Sequence, residues 1–326
     1  MTPRENTVRT DRSAGLGLTL ALLSAATFGT SGTFARSLIA AGWSAEFAVA
    51  VRVTTAGLVL AVPAAFALRK QWHLLRGNAV ALVLFGLLAI GGAQVGFFNA
   101  VRYLPIGVAL LLEYLAIILV VGWMWAVHKQ RPRRLTVTGS VAAIAGLALV
   151  LDLTGERALS LAGVAWGLFA GVGLAAYFLM SARVDPRLPA TALASGGMLI
   201  GGAVLAALGA VGALPMTATF GEVTLAGVET SWVVPILGLS LVAGVTAYVA
   251  GIGAARILDA RLASFVGLTE VLFAILIAWL ALAELPTVIQ FAGGALIIAG
   301  VALVRLDELR RTAAPTRAPD PDPVAA

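Results

Sequence analysis

Residues 103–134 read YLPIGVALLLEYLAIILVVGWMWAVHKQRPRR. The stretch is apolar from Ile106 to Val127, interrupted by Glu113, and closes on His128, Lys129, Arg131, Arg133 and Arg134. Roughly 20 apolar residues carry a helix across the ~30 Å hydrocarbon core of a bilayer. A basic cluster at the end of such a run marks a cytoplasmic loop. Residues 268–286, LTEVLFAILIAWLALAELP, follow the same plan, with Glu270 set inside an apolar run. That run closes on AELP, which has no basic residue. The two stretches therefore leave the membrane on opposite sides. This contrast decides the fold: two similar halves lying upside down relative to each other.

The rest of the chain agrees. Of 326 residues, 60% are hydrophobic and 12% charged, with a mean hydropathy of +0.98. Soluble domains carry about 25% charged residues. Apolar runs broken by charge, Pro or Gly predict an all-α integral membrane protein of ten transmembrane helices. Their approximate spans are 15–40, 45–68, 78–101, 106–127, 136–151, 162–181, 190–211, 232–255, 262–283 and 287–304. With the N-terminus inside, 18 of the 22 Lys and Arg residues fall in cytoplasmic segments. Only Arg102 and Arg157 fall in outer loops. Both termini are therefore expected in the cytoplasm, and the location is the cell (inner) membrane.

The net charge of +6 invites a nucleic-acid reading. Its distribution in short interhelical clusters argues against one. There are no cysteines, so disulfides and thiolate metal sites are excluded. The first apolar run is too long for a signal peptide and contains Arg36. It is read as a retained helix after a cytoplasmic tail of residues 1–12. Residues 305–326 turn polar and then Pro- and Ala-rich, and are expected to be a disordered cytoplasmic tail.

Residues 145–150 (AGLALV) recur as 299–304 (AGVALV), and Arg102 before the fourth helix parallels Arg256 before the ninth. Two five-helix repeats follow, 13–151 and 162–304. Five is odd, so the second enters the membrane from the other side. Inverted repeats are the architecture of alternating-access carriers.

Four stretches carry a resemblance to a known family: FGTSGTFARSLIAAGWSAEFAVAVRVTTAGLVL, with Arg52 inside the second helix; YLPIGVALLLEYLAIILVVGWMW; GLTEVLFAILIAWLALAE, ending on Glu284; and the Gly-rich last helix of each half. In order and duplication they resemble EamA-type members of the drug/metabolite transporter superfamily. The likeness covers nearly the whole chain outside the tails. It implies ten-helix carriers that export or exchange small molecules. Many relatives have Pro shortly after the acid of the fourth helix, where this chain has Ala116.

Ionisable groups within a bilayer are costly and usually face a cavity. Arg52, Glu113 and Glu270 all fall near mid-depth at 1.5 Å per residue. They are expected to line one central cavity, where one Glu binds a substrate amine or a proton. Arg52 would then hold the other carboxylate or an acidic group of the substrate. The competing reading is a buried Arg–Glu pair that only locks the second helix to the fourth. Gln94, Asn99 and Tyr248 are further candidates for the cavity lining, or else interhelical hydrogen-bond partners; Thr30 and Ser31 are candidates too, or else only permit close packing. Arg36, near the end of the first helix, is expected to snorkel to the headgroups. Gly163, Gly167 and Gly171, with Gly197 and Gly201, form small-xxx-small rows for close packing.

No P-loop, H-E-x-x-H, nucleophile elbow or metal cluster is present, so neither an enzyme, a cofactor nor a bound metal is expected. The expected function is secondary active transport, most simply export, of a small metabolite such as an amino acid or related compound. The partners are the lipid bilayer, a small-molecule substrate and protons as the coupling ion, and a homodimer is compatible with the sequence. A passive channel and a membrane-embedded enzyme on lipid-linked substrates are the rivals. A channel calls for polar rings, and the enzyme for an acidic or His cluster at one face.

Overall fold

A computed structural model of the chain describes residues 3–69, 71–129, 133–151, 160–181, 184–185, 187–258, 266–283 and 285–313. Glu284 and residues 314–326 lie outside the described residues. The first half holds α1 (Pro3–Gly29), α2 (Ser31–Ala40), α3 (Ala45–Leu68), α4 (His73–Gly77), α5 (Ala79–Leu84), α6 (Ala93–Tyr103), α7 (Ile106–Tyr114), α8 (Ala116–His128) and α9 (Arg134–Leu151). The second holds α10 (Leu161–Ser181), α11 (Ala190–Ala210), β1 (Glu222–Leu225), β2 (Val228–Ser231), α12 (Val233–Leu237), α13 (Ala247–Leu258), α14 (Thr269–Leu282) and α15 (Val288–Ala313). Two π-helical stretches complete it: π1 (Phe85–Gly92) joins α5 to α6, and π2 (Gly238–Thr246) joins α12 to α13.

Among the described residues, five helical segments are long and apolar enough to cross a membrane: Gly15–Ala40, Ala45–Leu68, Ala79–Tyr103, Ala190–Ala210 and Val233–Gly251. Four shorter apolar helices accompany them.

The structure departs from the sequence reading in three places. Helix begins at Pro3, within the expected 1–12 tail, and α15 runs through Arg305 to Ala313, within the expected disordered tail. Hydropathy marks where a membrane ends, not where a helix ends. Pro suits a first helical turn, and Leu, Glu and Arg are good helix formers. Second, the chain is not wholly α. β1 and β2 pair antiparallel around Ala226 and Gly227, whose φ angles of 52° and 78° match the twist of a two-residue hairpin turn. Third, long apolar runs are interrupted: at Thr30 between α1 and α2, at Leu115 between α7 and α8, and by the two π stretches.

The packing is symmetric under exchange of the halves. α3 runs along α11, α9 along α15, and α7 against α14. The pair α1–α13 has its mirror in α10–α6, and α1–α14 in α10–α7. Small residues make these approaches close. A Cβ on Gly146 would stand 2.5 Å from the Gly293 carbonyl oxygen, and one on Gly300 would overlap the Gly139 carbonyl and the Ala143 nitrogen. The Gly163, Gly167 and Gly171 row packs against Leu104 and against Leu112 and Glu113 of α7.

Backbone atoms cannot swing aside as side chains do. Gly300→Leu is therefore expected to cost about 3 kcal/mol, seen as a lower melting temperature in detergent. Gly122→Leu is the control, since its Cβ meets nothing within 4 Å. Equal losses in both would place the cost in helix propensity rather than packing.

At one end of the bundle the turn between α2 and α3 is sealed by the hairpin segment of the other half. Trp43 Nε1–H donates to the Thr219 carbonyl at 2.7 Å, and Ser44 N–H to the Thr217 carbonyl at 2.9 Å. The Ser44 hydroxyl donates to the Pro215 carbonyl at 2.6 Å. The Trp43 ring stacks within 6 Å of Phe47, Phe220 and Trp232, at 5.2, 5.9 and 5.6 Å. A smaller aliphatic cluster joins Leu68 and Leu74, which flank the α3–α4 turn, to Leu188, just ahead of α11.

Candidate functional site

A cavity of about 210 Å³ opens between the halves. Arg52, Glu113 and Glu270 all line it. Gln94, Tyr248 and Ser31, also singled out from the sequence, line it too. Asn99 and Thr30 are not among its lining residues. Asn99 is five residues beyond Gln94, about 140° around the helix. Its amide donates instead to Glu46 Oε1 of α3 at 3.0 Å. The Thr30 hydroxyl turns back on the Thr27 carbonyl at 2.6 Å. Arg36 donates to the Leu104 carbonyl rather than reaching for headgroups. That carbonyl lies at the end of α6, where helical donors run out.

The lining repeats itself. Phe28 and Leu174 are 146 residues apart, and so are Ser31 and Tyr177. Ala93 and Ala247, Gln94 and Tyr248, and Phe97 and Gly251 are each 154 apart, the offset that separates Arg102 from Arg256. Glu113 and Glu270 are 157 apart. Each half thus contributes corresponding positions to one cavity. The π stretches obey the same offset, since Phe85 plus 154 is residue 239, inside π2. Single π turns recur at functional sites. Here each one leads into the helical turn that supplies Ala93 and Gln94, or Ala247 and Tyr248. Glycines let π1 approach α11: a Cβ on Gly201 would lie 2.7 Å from the Gly86 carbonyl oxygen.

The charged groups are held differently. Arg52 is 2% exposed. Its Nη1 donates to Ser31 Oγ at 2.9 Å and to Gln94 Oε1 at 2.6 Å; its Nη2 donates to the Ala243 carbonyl of π2 at 3.0 Å. The guanidinium carbon sits 5.5 Å from the centre of the Phe98 ring. Among the described residues it forms no salt bridge, so the locking Arg–Glu pair of the competing reading is not what the structure contains. Neutral oxygens occupy the guanidinium. Glu270 accepts from the Tyr114 hydroxyl at 2.9 Å. Glu113, half-buried, faces the cavity beside it.

With its cation bound to protein oxygens and two carboxylates at the wall, the cavity is suited to a cationic group. The aromatic faces of Phe28, Phe97, Tyr177 and Tyr248 add apolar surface of the kind that attracts an ammonium group. Sequence reasoning found Tyr248 but missed Phe28, Phe97, Tyr177 and Tyr114. The 146- and 154-residue offsets were the signal that could have found most of them.

A model of the EamA-like transporter family matches residues 15–152 and 161–306. An uncharacterized inner membrane transporter of Salmonella typhimurium, YicL, is 24% identical over 303 residues, covering 91% of this chain and 98% of that protein. A crystal structure of a protein at 18% identity shares the fold with a TM-score of 0.58, covering 91% of this chain and 98% of that one.

Proposed function

Because the chain belongs to the EamA-like transporter family, we propose that it is a secondary active carrier of the inner membrane that exports a small amine-bearing metabolite, such as an amino acid or related compound, by alternating access. Ten helices in two inverted repeats, 13–151 and 162–304, would place both termini in the cytoplasm and the hairpin outside. The observation that carries this reading is the single cavity lined at matched positions by both halves, with one carboxylate from each. Halves related in this way can rock against each other around a fixed site, opening it to one face and then the other. Glu113 and Glu270 would bind the substrate ammonium group, with protons as the coupling ion exchanging at the same carboxylates.

The seal around Trp43 gives the experiment. The chain has no cysteine, so a pair introduced at Ser44 and Thr217 stands alone. Their backbones already meet, with Ser44 N–H bonded to the Thr217 carbonyl and Thr217 N–H to Ser44 Oγ at 3.2 Å. In proteoliposomes, Ser44→Cys/Thr217→Cys is expected to exchange labelled amino acids against unlabelled ones when reduced. After oxidation, exchange should fall several-fold and return with reductant. Exchange that ignores the cross-link would remove rocking at this end from the mechanism; flux that does not saturate would favour a channel.

A further inference from the structure

A second cavity, of about 330 Å³, lies between α7, α14 and α15. We infer that it is a binding site for one acyl chain of a membrane phospholipid. No residue lining it has a polar side chain. Water entering such a space would find no side-chain partner among the 2–4 polar partners that it needs. Its rim faces outward: Leu272 is 56% exposed and Phe291 67% exposed. Val288 and Ile289 continue the exposed apolar surface at the start of α15. In a chain built to sit in a bilayer, that surface meets hydrocarbon, so the groove opens onto acyl chains.

The dimensions fit one leaflet. From Phe291 to Ala299 the groove follows α15 over nine residues, about 12 Å of helix. One leaflet supplies about half of the ~30 Å core. Small residues on α15, Gly294, Ala295 and Ala299, line the groove, while Gly107 on α7 lets Ile275 of α14 pack close, since a Cβ there would stand 2.6 Å from that side chain. Its walls α7 and α14 also carry Glu113 and Glu270, which face the central cavity. The site itself does not depend on what the protein transports.

The full chain is reconstituted in vesicles of phosphatidylethanolamine and phosphatidylglycerol. A trace of phosphatidylcholine with a diazirine midway along one acyl chain is added, and labelled peptides are mapped after illumination. Residues 272–299 are expected to take up several-fold more label than the lipid-facing side of α9 around Val141 and Ile144, which are 60% and 55% exposed. Ala295→Trp and Ala299→Phe, which fill the groove from different positions, are each expected to cut that label several-fold and leave α9 unchanged. Equal labelling of the two surfaces in the wild-type protein overturns the inference without reference to any variant. So does labelling that persists in both filled proteins. Disulfide-linked dimers formed on oxidation of a Phe291→Cys variant in the same vesicles would assign the groove to a second copy and equally overturn it.

Discussion

Converting both Glu113 and Glu270 to Gln is expected to slow transport at least about tenfold while the protein still folds and reaches the membrane. Gln keeps the size and shape of Glu and can still accept from the Tyr114 hydroxyl. What it removes is the negative charge and the ability to take up and release a proton. A hydrogen bond to a charged group contributes about 1.5–3 kcal/mol, which is roughly 10- to 150-fold in affinity or rate. The two single variants should differ. Glu270 has a side-chain donor in Tyr114, whereas among the described residues no hydrogen bond to the Glu113 carboxylate is found. Glu113→Gln is therefore expected to fall chiefly in substrate affinity, and Tyr114→Phe to produce a milder loss that works through Glu270. If protons are the coupling ion, the double variant should also lose the dependence of rate on a pH gradient. The measurement is uptake of labelled amino acids into proteoliposomes with and without that gradient. Rates and gradient dependence equal to wild type would separate both carboxylates from transport.

Much of this architecture could be read from residue order because a bilayer imposes a simple rule. Each crossing needs a long apolar run, and its flanking basic residues bias its direction. The charges inside those runs were conspicuous for the same reason, and Arg52, Glu113 and Glu270 do meet at one cavity. What stayed hidden was whatever that rule does not govern. The hairpin of Glu222–Ser231 has an Ala-Gly turn rather than Asn-Gly, so its signal was weak against the surrounding loop. The π stretches are built from residues equally at home in an α-helix, such as FGLLAIGG. Asn99 and Gln94 looked alike as polar residues on one helix, yet helical phase sends one to Glu46 and the other to the cavity. One partner of Arg52 was out of reach for a deeper reason: Ser31 and Gln94 were in view, but the third is the Ala243 backbone carbonyl, which no side-chain pattern reports.

That carbonyl sets the second large effect. Arg52 ties three places together: Ser31 where α2 begins, Gln94 on α6, and Ala243 in π2 of the other half. A π turn shifts the helical hydrogen-bond pattern by one residue and frees backbone groups to bond elsewhere. The guanidinium fork satisfies several such acceptors at once, which the compact ammonium group of Lys does less well. Arg52→Met would leave the Gln94 oxygen and the Ala243 carbonyl without this donor, at about 1–3 kcal/mol each. The expected result is a melting temperature in detergent lowered by several degrees, with transport falling alongside it, and less than half of the loss recovered in Arg52→Lys. This outcome separates two roles for the same residue. An arginine that binds the substrate's acid would lose affinity for carboxylate-bearing substrates when replaced, with little change in melting temperature. An arginine that joins the halves would lose stability first, and its loss would affect amine substrates with and without a carboxylate alike. The neutral oxygens around Arg52 favour the second. Collapse of affinity for amino acids alone, in a protein of unchanged stability, would return Arg52 to the role of substrate ligand.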